Sequence, residues 1–408
     1  MTGAPAHAGQ NGSPAAAARG KTVRACMFTA ESQKGHARYT RELLSAMAAA
    51  GAGRGFEVAL VTSRDLAAAY RTAAYPIHPI LPPLVERARF RTTLGWGASR
   101  VAHYVRRDRT FLRWVGSQAD LDVIHTQEYT PWLAPWHFPW LRRRGLAVVA
   151  TVHNIANYGH SSRAYMRASQ LCWRSAWRSA SALVVHTEGL RSTLSGVLGP
   201  GHPPIHVTPH AVWEERVTPA APAEPPRPGE AARLLFFGAL RANKGLHVLL
   251  RAMSRLPGCT LTVAGEPEGA GYLDELRALI AALPAGRVEL VPRFVCESEI
   301  AGFFDRAHLV VLPYTEFAAQ SGVLHQALAH VRPVVATAVG GLGESVRAWG
   351  VGEVVAPGDE RALAEGIALA LRPERYRPAA AAAARVRDEL TWSKMAEATL
   401  DVYRSVVP

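Results

Sequence analysis

The chain of 408 residues is short of lysine, of paired cysteines and of long apolar runs, and each shortage removes a class of protein. Cys26, Cys172, Cys259 and Cys296 are widely scattered and show no paired or metal-ligand spacing, so no disulfide framework or zinc module is encoded and the thiols read as reduced. No apolar stretch is long enough to span a bilayer. Residues 1–20 are rich in Ala, Gly and Ser without a leucine-rich core, and read as a disordered tail, not a secretion signal. A cytoplasmic protein is the expectation, with a peripheral position at the inner membrane face as its extension. Neither a helix-turn-helix nor paired zinc ligands occur, so no nucleic acid is expected as a partner. Lysine occurs only at Lys21, Lys34, Lys244 and Lys394, so the formal charge of +13 is almost all arginine. That charge has two readings: an anionic partner, or the arginine bias of a GC-rich genome in a chain also rich in Ala, Gly and Pro.

What is present is an α/β rhythm. TVRACMFTA (22–30), EVALVTS, DVIHTQ, AVVATVHN and ALVVHTE are short apolar runs ending in polar residues, with helical stretches between them. A Pro/Ala/Glu-rich segment, Val217 to Ala232, interrupts the pattern. RLLFFGAL, TLTVAGE, VELVPRF, HLVVLPY and PVVATAV then repeat it. Two parallel-sheet domains follow, and 49% hydrophobic content suffices for two cores. The division reads as tail 1–20, first domain 21–212, second domain 213–387 and a terminal helix, 388–408.

The most informative stretch is Pro313 to Glu344, PYTEFAAQSGVLHQALAHVRPVVATAVGGLGE. A strand ends at Tyr314, and Gln320, Ser321 and Gly322 stand where a helix starts, with Val323 in its first turn. Unpaired N–H groups and about half a positive charge at that terminus suit an anion, although an ordinary strand-helix-strand unit has the same local pattern. FFGALRANKG (Phe236 to Gly245) puts Gly238 at another strand end, with Arg241 and Lys244 in the following loop, where a basic pair can hold a diphosphate. VVATVHNI ends a first-domain strand in His153 and Asn154.

These segments, in this order, resemble glycosyltransferase family 4, whose members have two facing Rossmann-like domains, the GT-B fold. The family pattern is Glu, seven residues, Glu, then Pro-Val-Val-Ala-Thr, a Gly pair and a further Glu. Here the first carboxylate falls on Ala318 and the second on Gln326, while the later one is kept as Glu344. The resemblance implies that Gln326 binds the ribose hydroxyls and that His153 sits beside the donor sugar; either Glu316 or Gln320 takes over the contact to that sugar that Ala318 cannot make, or the sugar is held in another way. The family's Gly-Arg-Leu becomes Gly238, Ala239, Leu240, leaving Arg241 to supply charge from two residues later. SQKGHARYTRELL matches the family's first loop, with one glycine, Gly35, followed by His36.

The implied donor site comprises Gly35, Gly238, Glu316, Gln320, Ser321, Gly322, Val323, Gln326 and Glu344. His153, Arg241 and Lys244 are the implied catalytic groups, and His36, Asn154, His186 and Trp132 the acceptor side, with His210 and Ala211 near the cleft. The implied chemistry is retaining, hexosyltransferase-like transfer from a nucleotide-diphosphate sugar to a small molecule, saccharide or lipid-linked acceptor, in natural-product glycoside, polysaccharide or glycolipid assembly. No cofactor or metal is expected, since no Asp-X-Asp pair follows a strand. Ala318, Gln326 and Ala239 also leave open a noncatalytic nucleotide-sugar or glycan-binding protein.

One further segment stands apart. In Arg87 to Val115, Leu94, Ala98, Val101, Val105, Leu112 and Val115 follow helical spacing and leave Arg100, Arg106, Arg107, Arg109 and Arg113 on other faces. It reads either as a packed surface helix or as a basic amphipathic helix for an anionic membrane or acceptor.

Overall fold

The computed structural model describes residues 21–30, 34–83, 93–155, 163–213, 223–316 and 321–407. Two parallel sheets organise it. The first is built from β1 (Val23–Phe28), β2 (Phe56–Ser63), β3 (Ile77–Leu81), β4 (Val123–Thr126), β5 (Ala147–Thr151), β6 (Ala182–Val185) and β7 (Ile205–Val207), in the order β3-β2-β1-β4-β5-β6-β7. The second is built from β8 (Ala232–Phe237), β9 (Cys259–Ala264), β10 (Val288–Val291), β11 (Leu309–Leu312), β12 (Val334–Thr337) and β13 (Gly352–Val355), in the order β10-β9-β8-β11-β12-β13. In each, the order reverses once, between β1 and β4 and between β8 and β11. At such a switch point the loops leaving neighbouring strands diverge and open a crevice beyond the carboxyl ends.

Side-chain alternation assigns the layers. Ala25 and Met27 of β1 face α1 (Lys34–Gly51), whose Leu43, Leu44 and Met47 are fully buried, each contributing about 2 kcal/mol by burial. Cys26 and Phe28 face the other way, toward α2 (Thr93–Gly116), α3 (Ala134–Arg143), α4 (Arg163–Ser179) and α5 (Glu188–Leu198). The second sheet has α6 (Leu246–Ala252), α7 (Ala270–Ala281) and α11 (Glu360–Ala370) on one face. Its other face carries α8 (Glu297–Arg306), α9 (Gly322–Ala329) and α10 (Gly340–Trp349). That cluster runs on through Tyr39, Trp213 and Trp392 into the core under α1.

Three expectations change. β3, β7 and β13 are edge strands that the apolar-run pattern does not mark, because IHPIL, IHV and GEVV are short and mostly half-buried. The terminal helix expected over 388–408 is α13 (Trp392–Val406), which starts a few residues later, after a separate helix α12 (Pro373–Glu389), and is opened by Thr391, whose hydroxyl accepts from Lys394 N. α13 packs on α1 and β1. The third concerns α2, where His103, Arg107, Phe111 and Val115 are buried while Val101 and Val105 are exposed. Arg107 turns inward because its guanidinium is paired with Asp108 (2.8 Å) and donates to Thr130 (2.6 Å). Leu94's side chain, the tail 1–20, residues 217–222 of the interrupting segment, Ala318 and Gln320 lie outside the described residues.

Candidate active site

A cleft of about 690 Å³ opens between the two switch points. Its second-domain wall begins with the loop after β8. Gly245 there has φ 68°, and a Cβ on it would lie 1.8 Å from the carbonyl oxygen of Pro313, so only glycine lets this loop close on the end of β11. Thr315 N donates to Asn243 O (3.0 Å) across the same contact. The result is to hold Lys244 with Nζ 3.7 Å from the centre of the Tyr314 ring. Burial, aided by nearby Arg241, pulls the Lys244 ammonium down to about 7. Arg241 also lines the cleft, but it is exposed and paired with Glu268, which offsets its charge.

Next to Lys244 is the start of α9. Ser321 occupies the N-cap position but makes no capping hydrogen bond; its hydroxyl instead meets the Tyr314 hydroxyl at 2.9 Å. Ser321, Gly322 and Val323 line the cleft, so the helix presents its first N–H groups there without a side-chain cap. One turn on, Gln326 is buried and lines the cleft, and its amide Nε2 has no hydrogen-bond partner among the described residues. Trp213 fastens this wall to the first domain by donating Nε1–H to Gly322 O (3.1 Å), while Arg38 stacks on the Trp213 ring at 4.5 Å.

The first-domain wall is a run of imidazoles. His36 lies 4.8 Å from His153, His153 5.3 Å from His186, His186 5.5 Å from His210, and His210 4.3 Å from His325 of α9, centre to centre. Tyr39 packs against His153, His186 and His210. His153 Nε2 is 2.6 Å from Gln127 Oε1, which makes that nitrogen the donor and leaves Nδ1 as acceptor. His186 and His210 each donate Nδ1–H to a backbone carbonyl, of Thr208 (2.8 Å) and Ala211 (2.6 Å). Burial, joined by neighbouring imidazoles, holds His153 and His210 well below the usual histidine value; His186 falls to about 4 and His325 to about 3. His153, His186 and His210 are therefore neutral hydrogen-bonding groups, opposite a wall that carries the Lys244 and Arg241 side chains.

Of the residues expected at the site, Gly35, His36, His153, Asn154, His186, Gly238, Arg241, Lys244, Ser321, Gly322, Val323 and Gln326 all line this one cleft. Trp132, Glu316 and Glu344 do not. Trp132 packs edge-on against Tyr104 in the α2–α3 layer. Glu316 is exposed beside the Asn243 loop, its carbonyl accepting from Asn243 Nδ2 (3.4 Å). Glu344 leaves α10 for the other domain, where it accepts from Gly189 N (3.0 Å) at the start of α5, a favourable place for a carboxylate. Sequence reasoning missed Arg38, Tyr39, Tyr70, Glu266, Glu268, Phe294 and Glu297, which also line the cleft. Arg38 and Tyr39 stand two and three residues after His36, so helical spacing from Gly35 was the available signal. The others come from loops and from the ends of short helices, Tyr70 closing a 3-10 turn and Glu297 opening α8, whose approach depends on tertiary packing.

Two facing parallel-sheet domains with a polar cleft between their switch points define the GT-B class of nucleotide-sugar proteins. Residues 34–211 match the glycosyl transferase 4-like domain and residues 231–372 match glycosyl transferases group 1. The chain belongs to this family, the group 1 or family 4 glycosyltransferases. It is 32% identical to a glycogen synthase of Mycobacterium tuberculosis over 238 residues, 55% of this chain and 54% of that protein. The match thus spans about half the length of that relative. Among solved structures, sucrose-phosphate synthase from Thermosynechococcus elongatus superposes with a TM-score of 0.74 at 19% identity, covering 94% of this chain and 99% of that one. Anabaena Alr3699/HepE, in complex with UDP and glucose, superposes with a TM-score of 0.66 at 18% identity, covering 94% and 100%. Among the described residues no helix is long and apolar enough to cross a membrane.

Proposed function

We propose that this protein transfers a hexosyl group from a nucleoside-diphosphate sugar to an acceptor hydroxyl, with the β8–β13 domain gripping the donor. The carrying observation is that Lys244 and the uncapped start of α9 share one cleft with His36 and the neutral rings of His153 and His186. A pyrophosphate against Lys244 and the α9 N–H groups would meet both charge and donors. Gln326 then turns its unpartnered amide to the ribose hydroxyls, and His153 faces the sugar. The bond from the anomeric carbon to the β-phosphate oxygen breaks while the acceptor oxygen attacks from the same face. The acceptor proton passes to the departing phosphate oxygen, and configuration is retained. Lys244 and the helix terminus stabilise the charge that develops on the leaving group, the part a divalent metal takes in other enzymes.

The relative with bound UDP and glucose makes UDP the first candidate donor nucleotide. Thermal-shift screening with UDP, GDP, ADP and dTDP tests this. A nucleotide that binds at a hundred times its Kd stabilises by about 2.7 kcal/mol. Stabilisation by UDP, followed by release of UDP from UDP-sugar in a coupled assay, supports the reading, and no response to any of the four sinks it. Binding without turnover on any acceptor would instead favour a noncatalytic nucleotide-sugar protein, the reading that Ala318, Ala239 and the Glu268-paired Arg241 support.

A further inference from the structure

The helical layer over the first sheet carries chemistry that the cleft does not use. α2, α3 and α4 contain a single acidic residue, Asp108, and it is buried, paired with Arg107 and 3.3 Å from His137 of α3. Asp108 therefore marks the flank of α2 that meets α3. Val101 and Val105 lie seven and three residues before it, at helical spacing on that same flank, and reach solvent, Val101 being 53% exposed. Beside His137 on α3, Trp136 is 75% exposed, and Leu171 on the adjoining α4 is 69% exposed. These are large apolar side chains of the kind a soluble surface usually covers when they gather. Around them Arg106, Arg109, Arg113, Arg142 and Arg143 are all exposed, and none is ion-paired with a described residue.

We infer that this α2–α3–α4 face docks on an anionic lipid bilayer. Charge complementarity selects the partner's sign, because the face offers exposed arginines and no exposed carboxylate of its own helices. Protruding valine, leucine and indole select a bilayer over a nucleic acid. A polyanion alone gains nothing from them, whereas an interface takes up the apolar groups while the guanidinium groups reach phosphate headgroups. The surface lies apart from the residues lining the cleft, so docking holds or fails independently of the transfer reaction.

Co-sedimentation with vesicles tests it on the full chain, comparing phosphatidylcholine alone with phosphatidylcholine containing about one-third phosphatidylglycerol. The expected result is at least about tenfold stronger partitioning onto the anionic vesicles, weakening as salt rises. The Val101→Ser, Val105→Ser, Trp136→Ser triple variant keeps every charge and should lose about tenfold of that partitioning, with its melting temperature and nucleotide response unchanged. Arg106→Gln with Arg109→Gln should weaken it too. Equal or absent binding to the two vesicle types overturns the inference. So does wild-type partitioning by the triple variant, or equally tight, variant-insensitive binding to duplex DNA, which would mark a general polyanion surface.

Discussion

Lys244 has the most consequential charge in the cleft. With its ammonium drawn down to about 7 by burial, about half of the unliganded protein holds it neutral at neutral pH, and a bound diphosphate would restore the proton. Binding should therefore take up a proton above pH 7, and nucleoside-diphosphate affinity should fall by up to about tenfold per pH unit from pH 7 to 9. Calorimetry in buffers of different ionisation enthalpy measures both effects, and Lys244→Met should bind weakly with a flat profile. A second prediction concerns Gln326, where the family places a carboxylate. An amide presents one acceptor oxygen to a pair of ribose hydroxyls and leaves Nε2 unpartnered, whereas a carboxylate accepts both. Gln326→Glu should tighten UDP about fivefold, roughly 1 kcal/mol, in the same titration. That His153 and Lys244 line the cleft was legible in the sequence, because each follows the end of a strand. The pairing of Arg241 with Glu268 was not, since nothing in either segment says that the loops after β8 and β9 meet.

At the scale of elements, the site depends on loops that are closed on one another. The β8 loop is bound to the end of β11 through Asn243 and Thr315, and the close approach runs over Gly245. Gly245→Ala would force a Cβ into the Pro313 carbonyl at a left-handed backbone position. It should destabilise by about 2 kcal/mol or more in urea unfolding and weaken nucleotide binding by displacing Lys244. Gly53→Ala, with nothing within 4 Å of its Cβ, is the control. The α9 start shows how an element's end is left available: Ser321 is the right residue for a cap, but its hydroxyl is taken by Tyr314. Sequence pattern finds such a serine and cannot see where its hydroxyl goes. In α2 the same limit appears as a rotation. Counting apolar residues alone selects Val101 and Val105 as the packed stripe, whereas the His103, Arg107, Phe111, Val115 row is the one that packs, because a buried ion pair lets an arginine occupy the core side.

In the whole molecule, the two domains meet through aromatic rings and imidazoles, and this has a consequence for acid stability. His125, His186, His210 and His325 are buried, and burial holds all four below 6.5, to about 3 for His125 and His325 and about 4 for His186. In the unfolded chain they titrate near 6.5. Above that pH both states are neutral and no stability is lost; below it the unfolded chain binds protons that the folded one refuses, so stability falls. Each histidine should cost up to about 1.4 kcal/mol per pH unit between 6.5 and its own depressed value. Denaturant midpoints from pH 7.5 to 4.5 should drop steeply below 6.5, and His325→Phe should flatten the slope if it folds. The sequence alone determined two parallel α/β sheets and the strand ends that carry glycine, lysine and histidine, because apolar period and turn chemistry are local, and the order of its motifs carried the resemblance to the family. Only the tertiary structure decided which loops close the cleft, that Glu344 serves the start of α5, and which side of α2 faces water. Those outcomes turn on contacts between segments far apart in the chain, whose energies no single stretch of sequence contains.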